Sequence, residues 1–224
     1  MTETLFAPLS DLVLRIADLG GPVVLLLIAL SIVTLAVILY KLWQFRSAGV
    51  GRHKALRLAV DAWDAGDHAA ARRELEQSKS YLKPVIAMAF AGRCDAPRLD
   101  AEAEARFARL EGGFRFLDSV AQLSPLLGLF GTVLGMISAF QALQDAGSQV
   151  DPSILAGGIW VALLTTAVGL AVAMPTSVVL SWLETRMEAE RVLAEKALRS
   201  IQSPASDAAT GPVATAPDGA LRHA

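Results

Sequence analysis

The apolar stretches of this sequence hold few groups able to do chemistry, and the most telling of them are hydroxyls. Thr132 stands 13 positions before Asp145, and Thr166 stands 15 positions after Asp151, with Thr165 beside it. That spacing puts both hydroxyls near mid-depth if each stretch crosses a bilayer. A hydroxyl there can hand a proton or an ion along a polar path, or it can bond its own helix backbone one turn back. Two at matched depth favour a path. No Asp, Glu, Lys or Arg lies within Gly20–Tyr40, Ser119–Gln144 or Pro152–Leu183. A proton-driven device needs a titrating carboxylate in the membrane, so a partner chain must bring it. His53, His68 and His223 are dispersed, and no nucleophile, base or metal-ligand cluster accompanies them. Enzymatic chemistry, a metal and a cofactor are therefore not expected. Cys94 is the single cysteine, which excludes a disulfide framework and reads as an inert thiol.

The hydroxyls are set among small residues. Ser124, Gly128, Gly131, Gly135 and Ala139 recur at spacings of three or four, as do Gly158, Ala162, Thr165, Gly169, Ala173 and Thr176. Stripes of this kind let helices approach closely in lipid, so the two segments pack on each other or line an assembly interface. Pro125 and Pro175 each free a backbone carbonyl within a helix and can kink it, although packing alone also accounts for them.

Three elements must carry these residues. Each charge-free stretch exceeds the roughly 20 residues that span a bilayer, which predicts three transmembrane helices. The first reads as lipid-facing, being Leu, Ile and Val almost throughout. Before it stand Glu3, Asp11 and Asp18 with Arg15 alone, and after it come Lys41 and Arg46, a pattern of a retained helix and not of a cleaved signal. Of the 20 Lys and Arg residues, 19 lie in 41–118 or 184–224. Basic residues stay cytoplasmic, so the N-terminus is expected outside and the C-terminus inside. Tyr40, Trp43, Trp160 and Trp182 suit the two borders. The third stretch, about 48 Å as a helix, exceeds the roughly 30 Å apolar core and should project inward.

Between spans one and two the sequence predicts helices at Lys54–Trp63, Asp67–Lys79 and Lys83–Ala91. A further one at Leu99–Leu117 places Phe107, Leu110, Phe114 and Leu117 on one face and runs into span two. Leu12, Leu14, Ile16 and Leu19 suggest a short amphipathic helix on the outer surface. The formal net charge of −2 argues against nucleic-acid binding. The predicted order is an outer segment (1–19), span one (20–43), a cytoplasmic helical region (44–118), span two (119–144), an outer loop (145–154), span three (155–183), a cytoplasmic helix (184–202) and a disordered tail (203–224). The fold class is thus an all-α membrane protein with three transmembrane helices and long cytoplasmic helical extensions.

The segments running from Leu123-Ser-Pro-Leu-Leu-Gly to Gly131-Thr-Val-Leu-Gly135, and from Gly158-Ile-Trp-Val-Ala-Leu-Leu-Thr-Thr-Ala-Val-Gly to Pro175, resemble the MotA/TolQ/ExbB proton channel family. The order of elements is similar to that of ExbB or TolQ and unlike four-span MotA. The resemblance implies a bacterial inner-membrane ring of five such subunits. The ring would enclose single-span ExbD- or TolR-like helices whose aspartate titrates, and would pass force to a TonB- or TolA-like protein. It implies that Thr132 and Thr166, with Thr165 beside them, line the pore. Ser124, Pro125, Gly128, Gly131, Gly135, Gly158, Ala162, Gly169 and Pro175 would then make subunit and partner contacts. Family members commonly carry a glutamate where this chain has Val161. That departure implies altered coupling, another ion route, or reliance on the partner's carboxylate alone. A non-conducting scaffold that organises partner proteins is the alternative.

Overall fold

The computed structural model describes residues 3–92, 94–145 and 152–204, with side chains from residue 21 onward apart from residue 154. Among these residues seven helices follow in order: α1 (Glu3–Ala48), α2 (Lys54–Asp64), α3 (His68–Gln77), α4 (Lys83–Phe90), α5 (Ala96–Glu111), α6 (Phe114–Asp145) and α7 (Pro152–Gln202). Among the described residues there is no strand. The apolar face expected within 1–19, most of the outer loop and nearly all of the tail lie outside what is described.

The chain divides into two compact units, residues 1–46 with 110–187 and residues 47–109 with 188–224. Among the described residues three helical segments, drawn from α1, α6 and α7, are long and apolar enough to cross a membrane. The backbone breaks once within α1, at Gly21 with φ 67° and ψ −170°, a conformation open to glycine and costly for other residues. The long segment Gly21–Ala48 follows it.

Span one is not purely lipid-facing. Val24, Leu27, Thr34, Lys41 and Phe45 are buried while Leu26, Ile32, Leu35 and Trp43 are exposed. The buried positions follow the three-to-four spacing of one helix face. A uniformly apolar sequence hides such a face, because lipid and protein interior are alike to Leu and Val and hydropathy does not separate them.

The expected continuity between α5 and span two fails. The sequence predicts one helix over Leu99–Leu117, yet α5 stops at Glu111 and α6 starts at Phe114. Gly113, at φ 93°, makes the break. Helices commonly end on a left-handed glycine, and the Gly112-Gly113 pair is the signal that hydrophobic periodicity overrode. The helical continuation of span three is observed: α7 runs unbroken to Gln202.

In the second unit, α2 to α5 and the end of α7 close around Leu56, Leu82, Val85, Ile86, Leu99 and Phe107, all nearly without exposure. Each such side chain contributes about 1.5–3 kcal/mol of transfer free energy. α3 begins on Asp67, whose Oδ1 accepts from the Ala70 N–H at 2.9 Å. That cap satisfies one of the donors a helix start leaves free. Trp63 stacks on Phe90 with ring centroids 4.2 Å apart.

Candidate functional site in the second and third spans

In the first unit the two small-residue stripes meet each other. As α6 runs on, α7 runs back along it, and the glycines mark where backbones touch. A Cβ built on Gly169 would lie 2.5 Å from the Ser124 carbonyl oxygen and 3.1 Å from the Gly128 Cα. One on Gly128 would lie 3.0 Å from the Thr165 carbonyl oxygen, and one on Gly135 3.2 Å from the Ala162 Cβ. Gly158 closes the series against Ala139. Such close approach is the device by which helices associate where no hydrophobic drive exists. Ser124, Gly128, Gly131, Ala139, Ala162, Thr165 and Gly169 are buried accordingly.

Thr165 sits in the middle of this contact, 1% exposed. Its Oγ1 donates to its own-helix Ala162 carbonyl at 2.7 Å and lies 3.2 Å from the Gly128 carbonyl across the interface. Thr166, half-buried, points its Oγ1 at the same Gly128 oxygen from 3.3 Å. The structure thus brings Thr165 and Thr166 together on one carbonyl.

Thr132 goes elsewhere. Its hydroxyl donates to its own-helix Leu129 carbonyl at 2.6 Å, and the residue lines an open groove with Val133, Met136, Phe140 and Gln141. Ser124 and Thr176 likewise bond the carbonyls four residues back, of Val120 and Val172, each at 2.7 Å. Pro125 and Pro175 both lie inside continuous helix. Val161 lines an apolar cavity of about 320 Å³ with Pro22, Val23, Gly135, Ser138 and Ala142.

Among the buried polar groups that the sequence did not mark are Lys41 and Glu190. Lys41, 3% exposed in the first unit, donates from Nζ to Gln44 Oε1 at 2.7 Å and to the Leu110 carbonyl at 3.1 Å. The Tyr40 and Phe114 rings face its ammonium with centroids 5.9 and 5.8 Å away. A cation suits the last carbonyls of α5, where the helix dipole is negative.

The other group belongs to the second unit. Glu190, 4% exposed, is met by His53 Nε2 at 2.7 Å, the Gly51 N–H at 2.9 Å and the Tyr81 hydroxyl at 2.8 Å. Burial by itself would raise the Glu190 carboxyl. The hydrogen bonds from His53 and Tyr81, the His53 charge and the Gly51 N–H together outweigh that and hold it below the ordinary carboxylate range. His53 Nδ1 is buried without a partner among the described residues. A separation of 137 positions left no local signal for this cluster.

The profile of the MotA/TolQ/ExbB proton channel family matches residues 95–196. A Synechocystis sp. protein named as a biopolymer transport protein, ExbB-like 1, is 32% identical over 165 residues, covering 69% of this chain and 64% of that protein. The Tol-Pal system protein TolQ of Haemophilus influenzae is 44% identical over 80 residues, 36% of this chain and 35% of its own length. Biopolymer transport protein exbB1 of Vibrio cholerae is 43% identical over 67 residues, 30% and 29% of the two chains. The chain therefore spans less than two thirds of the length of each of these relatives. Its three apolar helices make it a multi-pass membrane protein, and the matched region carries α6 and most of α7. Through that region the chain belongs to the MotA/TolQ/ExbB proton channel family, with relatives of the ExbB and TolQ kinds.

Proposed function

We propose that the chain is the pore-forming subunit of an inner-membrane, proton-driven motor of the ExbB/TolQ kind. In this reading the N-terminus is periplasmic and the C-terminus cytoplasmic. Five copies surround an ExbD- or TolR-like single-span helix whose aspartate titrates. Protons reach that aspartate past Thr132 and Thr166, and each transfer removes or restores a charge in a low-dielectric site. That changes which packing of the partner helix is preferred. Force then passes to a TonB- or TolA-like protein for outer-membrane transport or envelope maintenance.

The observation that carries the reading is a tightly packed helix pair that sets the Thr165 and Thr166 hydroxyls on one carbonyl between charge-free stretches, 119–144 and 152–183, inside the family-matched region. Such a pair is incomplete until a foreign carboxylate arrives. The test replaces Thr132 or Thr166 by Val, confirms that the complex still assembles, and measures energised uptake. Loss in either variant supports the path, and full activity in both refutes it. Val161 lining an apolar cavity favours a second reading, a scaffold that organises partners without conducting. Proton flux into vesicles holding the reconstituted complex separates the two.

A further inference from the structure

We infer that Thr165 is a positioning residue for the hydroxyl of Thr166, acting through the Gly128 carbonyl that the two side chains share. The functional part rests on the proton-path reading above; the shared bond stands by itself. A carbonyl oxygen offers two lone pairs. Helix geometry assigns one of them, in α6, to the N–H of Thr132 four residues on. One lone pair is left, and two hydroxyls compete for it, Thr165 Oγ1 at 3.2 Å and Thr166 Oγ1 at 3.3 Å.

Thr165 has a choice that decides the contest. Its single hydroxyl proton can serve the Ala162 carbonyl at 2.7 Å or the Gly128 carbonyl, but only one at a time. Rotation about the Cβ–Oγ bond moves the proton between them, and no heavy atom is displaced. With the proton on Ala162, the Gly128 oxygen is open to Thr166. With the proton on Gly128, Thr166 is released. In lipid no water stands in for a lost partner, so each alternative is felt in full.

Burial separates the two roles. Thr165 is 1% exposed, and Gly131 is wedged against it so closely that an added Cβ would lie 2.6 Å from its Oγ1. It therefore lines no open path itself. Thr166 is half-buried and can turn its hydroxyl outward once freed. The concealed hydroxyl sets how often the accessible one is available.

Isotope-edited infrared spectroscopy of the full chain in lipid vesicles, labelled at the Gly128 carbonyl alone, tests the sharing. Thr165→Val and Thr166→Val each leave the band in place, because the remaining hydroxyl takes the lone pair. The double variant moves it to higher frequency. A band that does not move in the double variant overturns the inference. Proton flux through the reconstituted complex tests the role. Thr165→Val lowers flux about two- to fivefold, the worth of one net hydrogen bond, and Thr165→Ser restores it. Thr166→Val lowers it further. Flux that falls equally in the two Val variants, or that Ser fails to restore, overturns the positioning role. A band that behaves as described while no threonine variant alters flux keeps the shared bond and overturns the proton path instead.

Discussion

Gly131 and Thr165 face each other so tightly that a single added carbon on the glycine would stand 2.6 Å from the threonine oxygen and 2.7 Å from its Cβ. Gly131→Ala must push α6 away from α7 or force Thr165 off its rotamer, at a cost of about 1–3 kcal/mol. Gly157, one residue from the contact at Gly158, would meet nothing within 4 Å. Thermal unfolding of the detergent-solubilised chain should show a clear drop for Gly131→Ala and none for Gly157→Ala. Equal effects would mean that the two helices do not meet as described.

The break between α5 and α6 makes a second contrast. Gly113 has φ 93° and its added Cβ would lie 3.3 Å from Lys41 Cε, whereas Gly112 is not in the left-handed region. Gly113→Ala should cost about 1–2 kcal/mol from backbone strain alone, and Gly112→Ala far less. The same unfolding assay reads the difference, and a neutral Gly113→Ala would argue for a continuous helix there.

Lys41 is 3% exposed and holds two acceptors, while Lys54, Lys79 and Lys196 are exposed. Brief treatment of the folded chain with an amine-reactive reagent, followed by peptide mass spectrometry, should label those three and leave Lys41 unmodified. Unfolding before labelling should abolish the distinction.

The spans were legible because charge is absent from long runs, and the α6–α7 contact was legible because glycine, alanine and serine recur at helical spacing. Counting residues from the ends places Thr132, Thr165 and Thr166 along each helix but says nothing of their rotation about its axis. Thr165 turned out to be enclosed and Thr132 to lie on a groove-lining face because phase, which decides partners, is fixed by packing. Glu190 and His53 were invisible as a pair for a different reason. Nothing local marks two residues that only the closed bundle brings together.

Acid should weaken the second unit through Glu190. Its folded-state affinity for protons is below the ordinary carboxylate range, so its contribution is complete above the unfolded value of about 4.3 and is lost as pH falls through the lower folded one. Glu190→Ala leaves the Gly51, His53 and Tyr81 donors without their acceptor and should cost about 3 kcal/mol at neutral pH. Glu190→Gln, which cannot ionise, should flatten the acid limb of a melting-temperature profile. An acid limb identical to that of the unaltered chain would place the titrating group elsewhere.

Where α6 meets α7, the facing residues are mostly those with no rotamers to lose. Glycine and alanine give up almost no side-chain conformational entropy when two helices join, whereas long side chains surrender up to about 2 kcal/mol each. The union of these helices is therefore held by shape at little entropic cost, and warming should erode it less than an interface of the same length built from leucine and methionine. Ordering in this region falls mainly on the hydroxyls of Thr165 and Thr166, the groups left free to turn.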